Sequence, residues 1–146
     1  MIRLDDDGLD YFQIHGRVDV SEGQFDPTAR EFGVAIWNAN GMIWSGRLHA
    51  GDLKARASSS KRFVYRDHDA SSGNGARDGI YMVATRFRRI SGALSYQIRV
   101  KAYGDFSAAT LPLMTIQVSG VDAVASNTSQ WKRTRRGWTL PLRLFD

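Results

Sequence analysis

Residues 81–102, YMVATRFRRISGALSYQIRVKA, give the clearest indication of the fold, because apolar and polar side chains alternate along them. A two-residue turn at Ser91-Gly92 would pair Ile90 with Ala93 and Met82 with Lys101. A period of two held over both strands predicts a half-buried antiparallel hairpin with a basic outer face. The predicted inner face is Tyr81, Val83, Thr85, Phe87, Leu94, Tyr96, Ile98, Val100 and Ala102, and the outer face is Met82, Ala84, Arg86, Arg88, Ser95, Gln97, Arg99 and Lys101.

The rest of the chain has the pattern of further strands, separated by clusters of Gly, Asn, Ser and Asp. No long stretch shows a helical period, and the even spacing of the strands favours two packed sheets. We predict an all-β fold, a two-sheet antiparallel β-sandwich of Ig-like or jelly-roll-like type with about eight or nine strands and no long helix. The 146 residues fit one domain, 1–146, and the acidic segment 1–10 is expected to fray from it. Strands outside the basic hairpin are predicted at 11–20, 32–48 (a hairpin), 62–67, 114–118, 121–125 and 137–144.

Strand 11–20 alternates in the same way as the basic hairpin. Gly16 lies in its middle and is interpreted as a β-bulge. The predicted core-facing residues are Phe12, Ile14, Val18 and Val20, and the outward residues are Gln13, His15, Arg17 and Asp19.

The hairpin at 32–48 contains Asn40-Gly41, a strong signal for a two-residue turn. This turn would place Trp37 opposite Trp44. Exposed tryptophans form platforms for sugar rings, so Trp37, Trp44 and Trp131 are candidate carbohydrate-stacking residues. The companions of the first two on their face are small or apolar, which favours a buried pair instead. That face is Ala35, Ala39, Met42, Gly46 and Leu48, and Val34, Ile36 and Ile43 would point outward.

Charge is distributed unevenly along the chain, which carries a net +5 and contains no cysteine. Residues 1–31 hold three arginines against eight acids, a net charge of −5, and the remainder is +10. Such a split favours binding to an anionic polymer or head-to-tail self-association. A simpler interpretation, which we favour, is that the acidic segment lies against the basic sheet of its own molecule.

Two groups of basic residues are candidate anion-binding sites. The first is the outer face of the hairpin, and a sheet that binds RNA or single strands normally also exposes aromatic side chains there. Only Met82, and Tyr103 if the strand continues, would interrupt the charges, so a solvated face is the favoured interpretation. The second group lies between Trp131 and Trp138, where an exposed turn anchored by the tryptophans is an equal alternative. The candidates are Arg86, Arg88, Arg99 and Lys101 in the first group and Lys132, Arg133, Arg135 and Arg136 in the second.

The loop 67–78 has oxygen-bearing residues spaced as in a calcium loop, with Asp67, Asp69 and Asp78 as the candidate ligands. It lacks the glycine and the glutamate that an EF-hand requires, so a polar connector is favoured and no metal is predicted. Catalytic motifs are missing from the sequence, and its three histidines are isolated. We therefore predict a protein without enzymatic activity and without a cofactor.

Several short segments resemble poorly characterised β-sandwich domains of large bacterial secreted or surface proteins. They are Phe12-Gln13-Ile14-His15-Gly16, Phe25-Asp26-Pro27, Ala50-Gly51-Asp52-Leu53, Arg62-Phe63-Val64-Tyr65-Arg66-Asp67, Gly104-Asp105-Phe106-Ser107 and Met114-Thr115-Ile116-Gln117-Val118. The resemblance implies a sandwich fold, a structural or adhesive role and an extracellular or cell-surface location for a domain excised from a larger protein. It supplies no binding residue. The acidic start of the chain lacks the apolar core of a signal peptide, and the longest uncharged stretch, 106–121, is too short and polar to span a membrane.

Overall fold

The computed structural model describes residues 1–5, 8–20, 26–56, 59–120 and 124–140. These residues form twelve strands and one short 3-10 helix, Asp69–Ser72. The strands are β1 (Ile2–Arg3), β2 (Asp10–Asp19), β3 (Phe32–Asn38), β4 (Gly41–Leu48), β5 (Lys54–Arg56), β6 (Ser59–Arg66), β7 (Ile80–Ile90), β8 (Ala93–Gly104), β9 (Leu113–Ser119), β10 (Ala125–Gln130), β11 (Lys132–Thr134) and β12 (Gly137–Thr139).

The strands form two antiparallel sheets, which confirms the all-β, two-sheet prediction. The large sheet has the order β11-β12-β1-β2-β8-β7-β6-β5, and the small sheet has the order β10-β9-β3-β4. The number of strands exceeds the prediction because β1, β5 and β11 are only two or three residues long and leave little periodicity in the sequence. No helix in the described part of the chain is long and apolar enough to cross a membrane.

The central hairpin, β7 and β8, has the predicted register from Met82–Lys101 to Ile90–Ala93. Its turn residues Ser91 and Gly92 both have positive φ, 50° and 85°, as a type I′ turn requires. Most of the predicted inner face is buried, with Val83 and Val100 fully inaccessible, whereas Phe87 and Leu94 are partly exposed. Alternation therefore located the centre of the large sheet correctly.

A β-bulge at the start of β7 changes one assignment. The register shifts between Ile80 and Met82, so that Ile80 pairs with Ala102 and is fully buried. Tyr81 consequently lies on the outer face, with its ring centroid 5.7 Å from that of Tyr103. The prediction that Tyr81 faces the core is wrong, because one extra residue inverts the direction of the side chains that precede it.

Strand β2 pairs with β8 in an unbroken register from Asp10–Gly104 to Asp19–Ser95. The predicted bulge at Gly16 is therefore wrong. The predicted inner face of β2 is correct, since Phe12 is fully buried and Ile14, Val18 and Val20 pack against the core. Ser95 is an exception on β8, because it is buried although its parity places it on the outer face.

The hairpin formed by β3 and β4 has a different register from the predicted one. Asn38 pairs with Gly41, and a bulge lies between Ile36 and Trp37, so Trp37 faces Met42 instead of Trp44. The reason is the buried Asn38 side chain, which donates to the carbonyl of Ala108 (3.0 Å) and accepts the amide of Asn40 (2.8 Å). Val34 and Ile36 are consequently buried, and Met42 is 59% exposed, contrary to the prediction.

One hydrophobic core lies between the two sheets. Trp44 from the small sheet contacts Phe12 of the large sheet and Phe106, with ring centroids 6.1 Å and 5.7 Å apart. Ile2 of β1 is only 1% exposed and pairs with both β2 and β12, so this part of segment 1–10 belongs to the large sheet. The indole nitrogen of Trp138 donates to the buried carbonyl of Ala109 at 2.5 Å.

The remaining predicted strands have mixed outcomes. Strands 62–67 and 114–118 are confirmed as parts of β6 and β9. The predicted strand at 121–125 falls mostly on residues 121–123, which lie outside the described residues, and the observed strand is β10. Of the predicted strand 137–144, β12 covers the first three residues, and 141–146 lie outside the described residues.

Candidate functional site

The outer face of the large sheet carries a row of polar side chains that crosses four strands. In this row Arg17 of β2 lies opposite Gln97 of β8, which lies opposite Arg86 of β7. Arg86 in turn lies opposite Arg62 of β6. The row arises because strand alternation sends these residues to the same face and the antiparallel registers align them.

Around this row the sheet forms an open groove with a volume of about 680 Å³. We call it the cationic groove and define it by the basic residues that line it. The groove is also lined by short or uncharged side chains, among them Val64, Ala84 and Gln97. Among the described residues, no carboxylate lines the groove. Its basic residues are His15, Arg17, Arg56, Arg62, Arg86 and Arg99.

The positive charges of the groove act on one another. The pKa of Arg86 lies below its usual range because of desolvation and because Arg62 and Arg88 repel its charge. The pKa of His15 is also lowered, first by desolvation and then by the charge of Arg99. The groove therefore holds guanidinium groups that an anion would stabilise.

Few of the described acids of segment 1–31 approach this groove. Asp19 lies 3.5 Å from Arg17 at its margin, whereas Glu31 pairs with Arg47. Asp10 accepts hydrogen bonds from the backbone amides of Asp5 and Phe106. In the part of the chain that the structure describes, the acidic segment thus does not cover the basic face, contrary to the interpretation favoured from the sequence.

A second feature of the same face is a group of aromatic rings around one ammonium, which we call the tyrosine cluster. The Nζ atom of Lys101 lies 5.0 Å, 5.2 Å and 4.7 Å from the ring centroids of Tyr11, Tyr81 and Tyr103. All three tyrosines are partly exposed. The hydroxyl of Tyr81 also lies 3.2 Å from Nδ1 of His68.

The tyrosine cluster overturns the expectation that this face exposes no more aromatic residues than Tyr103. Tyr81 reaches it only through the bulge, and Tyr11 through the pairing of β2 with β8. For Tyr11 a signal was present, since it shares parity with Gln13 and His15. For Tyr81 the alternation of β7 predicted the inner face of the sheet instead.

The predicted anion-binding residues of the central hairpin divide between these two features. Arg86 and Arg99 line the cationic groove. Arg88 is exposed on the same face beyond Arg86, and Lys101 lies in the tyrosine cluster. Sequence reasoning did not single out Arg17, Arg56 and Arg62 because their place beside the hairpin depends on which strands are neighbours in the sheet.

The second predicted basic group lies apart from the groove, at the opposite edge of the large sheet. Lys132, Arg133, Arg135 and Arg136 are all exposed on the hairpin formed by β11 and β12, which we call the terminal hairpin. The guanidinium of Arg133 lies 4.9 Å from the ring centroid of Trp138. Arg136 lines a smaller cavity of about 240 Å³ together with Arg3 and Tyr11, which brings positive charge to the far side of the tyrosine cluster.

The candidate carbohydrate-stacking residues differ in exposure. Trp44 is 9% and Trp131 is 3% exposed, so neither can stack on a sugar and this assignment is wrong for both. Trp37 is partly exposed on the outer face of the small sheet, opposite Thr115 of β9 and Met42 of β4. Trp37 is the only one of the three candidates with an accessible ring.

Two of the three candidate carboxylates of loop 67–78, those of Asp67 and Asp78, accept hydrogen bonds from backbone amides. Asp67 accepts from the amides of Asp69 at 3.0 Å and Ala76 at 2.8 Å, and the hydrogen bond from Ala76 is the main reason that its pKa is lowered. Asp78 accepts from the amide of Arg47 at 3.0 Å. No group of three or more His, Cys, Asp or Glu residues that could hold a metal occurs in the described ranges. Asp67 thus closes the loop on itself, and Asp78 joins the end of the loop to β4.

No protein-family model, curated protein or solved structure gives a significant match to this chain. The site is therefore interpreted from its own chemistry.

Proposed function

We propose that this chain is a non-catalytic adhesive module that binds a polyanion in the cationic groove. The observation that carries the proposal is the set of five arginines along one open groove that no described carboxylate lines. The proposal narrows the structural or adhesive role predicted from the sequence to one with an anionic polymer as partner. A bacterial, cell-surface setting remains a prediction from the resemblance.

Arginine suits this role better than a general excess of positive charge would. Its planar guanidinium binds phosphate, sulfate or carboxylate through two parallel hydrogen bonds. In this groove the guanidinium groups are spread over five strands, from Arg17 on β2 to Arg56 on β5. A repeating anion can contact several of them at once, whereas a single small anion cannot.

The opposed pair Arg62 and Arg86 also supports a ligand. Like charges that face each other across a sheet are destabilising, and burial adds to this effect at Arg86. A bound anion would remove the repulsion. An opposed pair of arginines is therefore expected on a surface that binds an anion, and it would be unfavourable on a surface that is only solvated.

The test compares two doubly substituted proteins on a heparin column. Arg62→Gln/Arg86→Gln removes two charges from the groove, and Lys132→Gln/Arg135→Gln removes two from the terminal hairpin. We expect the groove variant to elute at clearly lower salt than the hairpin variant, because its charges contact the ligand directly. Equal shifts in the two variants would contradict a site in the groove, and no retention of the native protein would contradict the function.

A second candidate, binding of a neutral glycan, is supported by the accessible ring of Trp37. Its neighbour Thr115 shares a hydrogen bond with Thr128 at 2.7 Å, so hydroxyl groups lie beside the ring. Quenching by acrylamide should act mainly on Trp37 and disappear in Trp37→Phe. A neutral oligosaccharide that protects Trp37 from the quencher would support this candidate, and unchanged quenching with a range of such sugars would exclude it.

A further inference from the structure

We infer that the polyanion is a single-stranded nucleic acid whose bases stack on the tyrosine cluster while its phosphates follow the cationic groove. This inference rests on the proposed function and specifies the class of polymer. It is carried by the position of the three tyrosines, which lie on the same face as the arginines and on three of the same strands, β2, β7 and β8.

The three rings surround one point above the sheet. Tyr11 lies directly opposite Tyr103 on the neighbouring strand, and their centroids are 6.0 Å apart. Tyr81 meets Tyr103 edge to face, at 5.7 Å and 73°. A single ammonium, that of Lys101, lies within about 5 Å of all three centroids, so the rings converge on one point. A base that displaced this ammonium could stack on one ring and touch a second. Lys101 could then turn its ammonium to a phosphate.

The cluster and the groove form one continuous track. On β8 the outer-face residues are Tyr103, Lys101, Arg99 and Gln97, in that order. Alternate residues of a strand are about 7 Å apart, so these four side chains cover about 20 Å from the rings to the row of arginines. The parallel track on β2 is Tyr11, Gln13, His15 and Arg17.

Positive charge also lies beside the tyrosine end of this track, on the neighbouring strand β1. The guanidinium of Arg3 lies 5.9 Å from the ring of Tyr11, on the side away from the groove, and Arg136 lines the same small cavity. A backbone of phosphates could therefore pass over the cluster and still meet arginines on each side. Gln13, Gln97 and His15 add groups that can donate to or accept from base edges.

The aromatic rings distinguish this polymer from other polyanions. Proteins that bind single strands combine a basic groove with exposed aromatic side chains on which unpaired bases stack. An acidic polysaccharide offers the rings only the C–H face of a sugar, whereas an unpaired base offers a flat π face, and a duplex keeps its bases stacked inside. A cationic ligand is disfavoured because Lys101 already occupies the cluster and Arg3 lies beside it.

The experiment measures binding of a fluorescently labelled oligothymidylate of about a dozen nucleotides, a length within known site sizes. The variant Tyr11→Leu/Tyr103→Leu keeps apolar bulk and removes two rings. Trp37→Leu is the matched control, since it removes an accessible ring from the other sheet. We expect the tyrosine variant to bind about 10-fold or more weakly, with unchanged elution from heparin, and the control to bind normally. The same label on duplex DNA should bind more weakly than on the single strand.

Each result bears on a different claim. If the tyrosine variant binds the oligonucleotide as the native protein does, the base-stacking inference is wrong and an acidic polysaccharide becomes the better ligand. If the native protein binds neither heparin nor oligonucleotide, the proposed function itself fails. For variants that do not fold, photocrosslinking of a bromouridine-substituted strand to the native protein gives an independent readout. Adducts on Tyr11, Tyr81 or Tyr103 support the inference, and adducts confined to other residues contradict it.

Discussion

Arg62 and Arg86 face each other directly across β6 and β7, so two guanidinium groups of like charge share the centre of the cationic groove. The repulsion lowers the pKa of Arg86, after the larger effect of desolvation. We therefore expect Arg86→Gln to raise the thermal unfolding midpoint at low salt while it lowers retention on heparin. Stability and binding should change in opposite directions, because Arg86 contributes to binding of the anion and not to the stability of the fold.

Arg47→Gln provides the control for this experiment. Arg47 lies on the small sheet, 3.5 Å from Glu31, so its loss should not stabilise the protein. Added salt should reduce the gain in Arg86→Gln, since screening weakens the repulsion. A fall in the unfolding midpoint of Arg86→Gln would show that this arginine supports the fold instead.

The sequence predicted those parts of the fold that depend on an unbroken period of two. The register of β7 with β8 followed from the Ser91-Gly92 turn, and the buried face of β2 followed from alternation alone. The bulges between Ile80 and Met82 and between Ile36 and Trp37 could not be predicted in this way, because each inserts one residue at a position that no local signal marks. One of them moved Tyr81 to the outer face, and the other separated Trp37 from Trp44.

The candidate site was predictable only where it lies within one hairpin. Arg86 and Arg99 belong to the same two strands, and their common face follows from their spacing. Arg62 and Arg17 join them because β6 lies beside β7 and β2 lies beside β8. That order is set by long-range packing, which the pattern of a single strand does not contain.

Gly46 makes room for the ring of Trp44 in the core. A Cβ atom at Gly46 would lie 2.6 Å from Cζ2 and 2.7 Å from Cη2 of that ring, and 3.1 Å from the Cγ1 atom of Ile80. Because a buried indole has little freedom to move, Gly46→Ala should lower the free energy of unfolding by about 1–3 kcal/mol. Urea denaturation at neutral pH measures the change.

Gly16→Ala is the matched substitution in the large sheet. No atom lies within 4 Å of a Cβ at Gly16, so alanine meets open space there. Replacing a strand glycine under these conditions should leave the protein unchanged or stabilise it by about 0.5–1 kcal/mol. Equal destabilisation in both variants would contradict the packing of Trp44 against Gly46.

Asp52 joins the segment after β4 to the loop before β7. It accepts two hydrogen bonds from Arg77, Nε–Oδ2 at 2.5 Å and Nη2–Oδ1 at 3.2 Å, and one from the amide of His49 at 2.8 Å. The bond from Arg77 is the main reason that the pKa of Asp52 is lowered. Asp52→Asn should reduce the free energy of unfolding by about 1 kcal/mol, after allowance for screening by solvent.

The acid dependence of this contribution has a definite sign. A carboxylate with a lowered pKa in the folded state adds stability above its ordinary pKa of about 4 and loses it as the pH falls through the lowered value. The difference between the native protein and Asp52→Asn should thus shrink in acid. Glu31→Gln should show little effect at any pH, since Glu31 and Arg47 are exposed and 3.5 Å apart. A pH-independent loss in Asp52→Asn would contradict an ionic role.

Tyr96 gives the corresponding prediction in alkali. Its side chain is fully buried beneath β7 and β8, and burial raises the pKa of its phenol to about 12. In the unfolded chain a tyrosine ionises near pH 10, so between about pH 10 and pH 12 the unfolded state loses a proton that the folded state keeps. The free energy of unfolding should therefore fall as the pH rises through this range, by about 2–3 kcal/mol in total from this residue.

Urea denaturation of the native protein and Tyr96→Phe at a series of alkaline pH values isolates the effect, because the other titrating groups are common to both. The native protein should lose stability relative to Tyr96→Phe as the pH rises, and a constant difference between them would mean that the phenol is accessible to solvent.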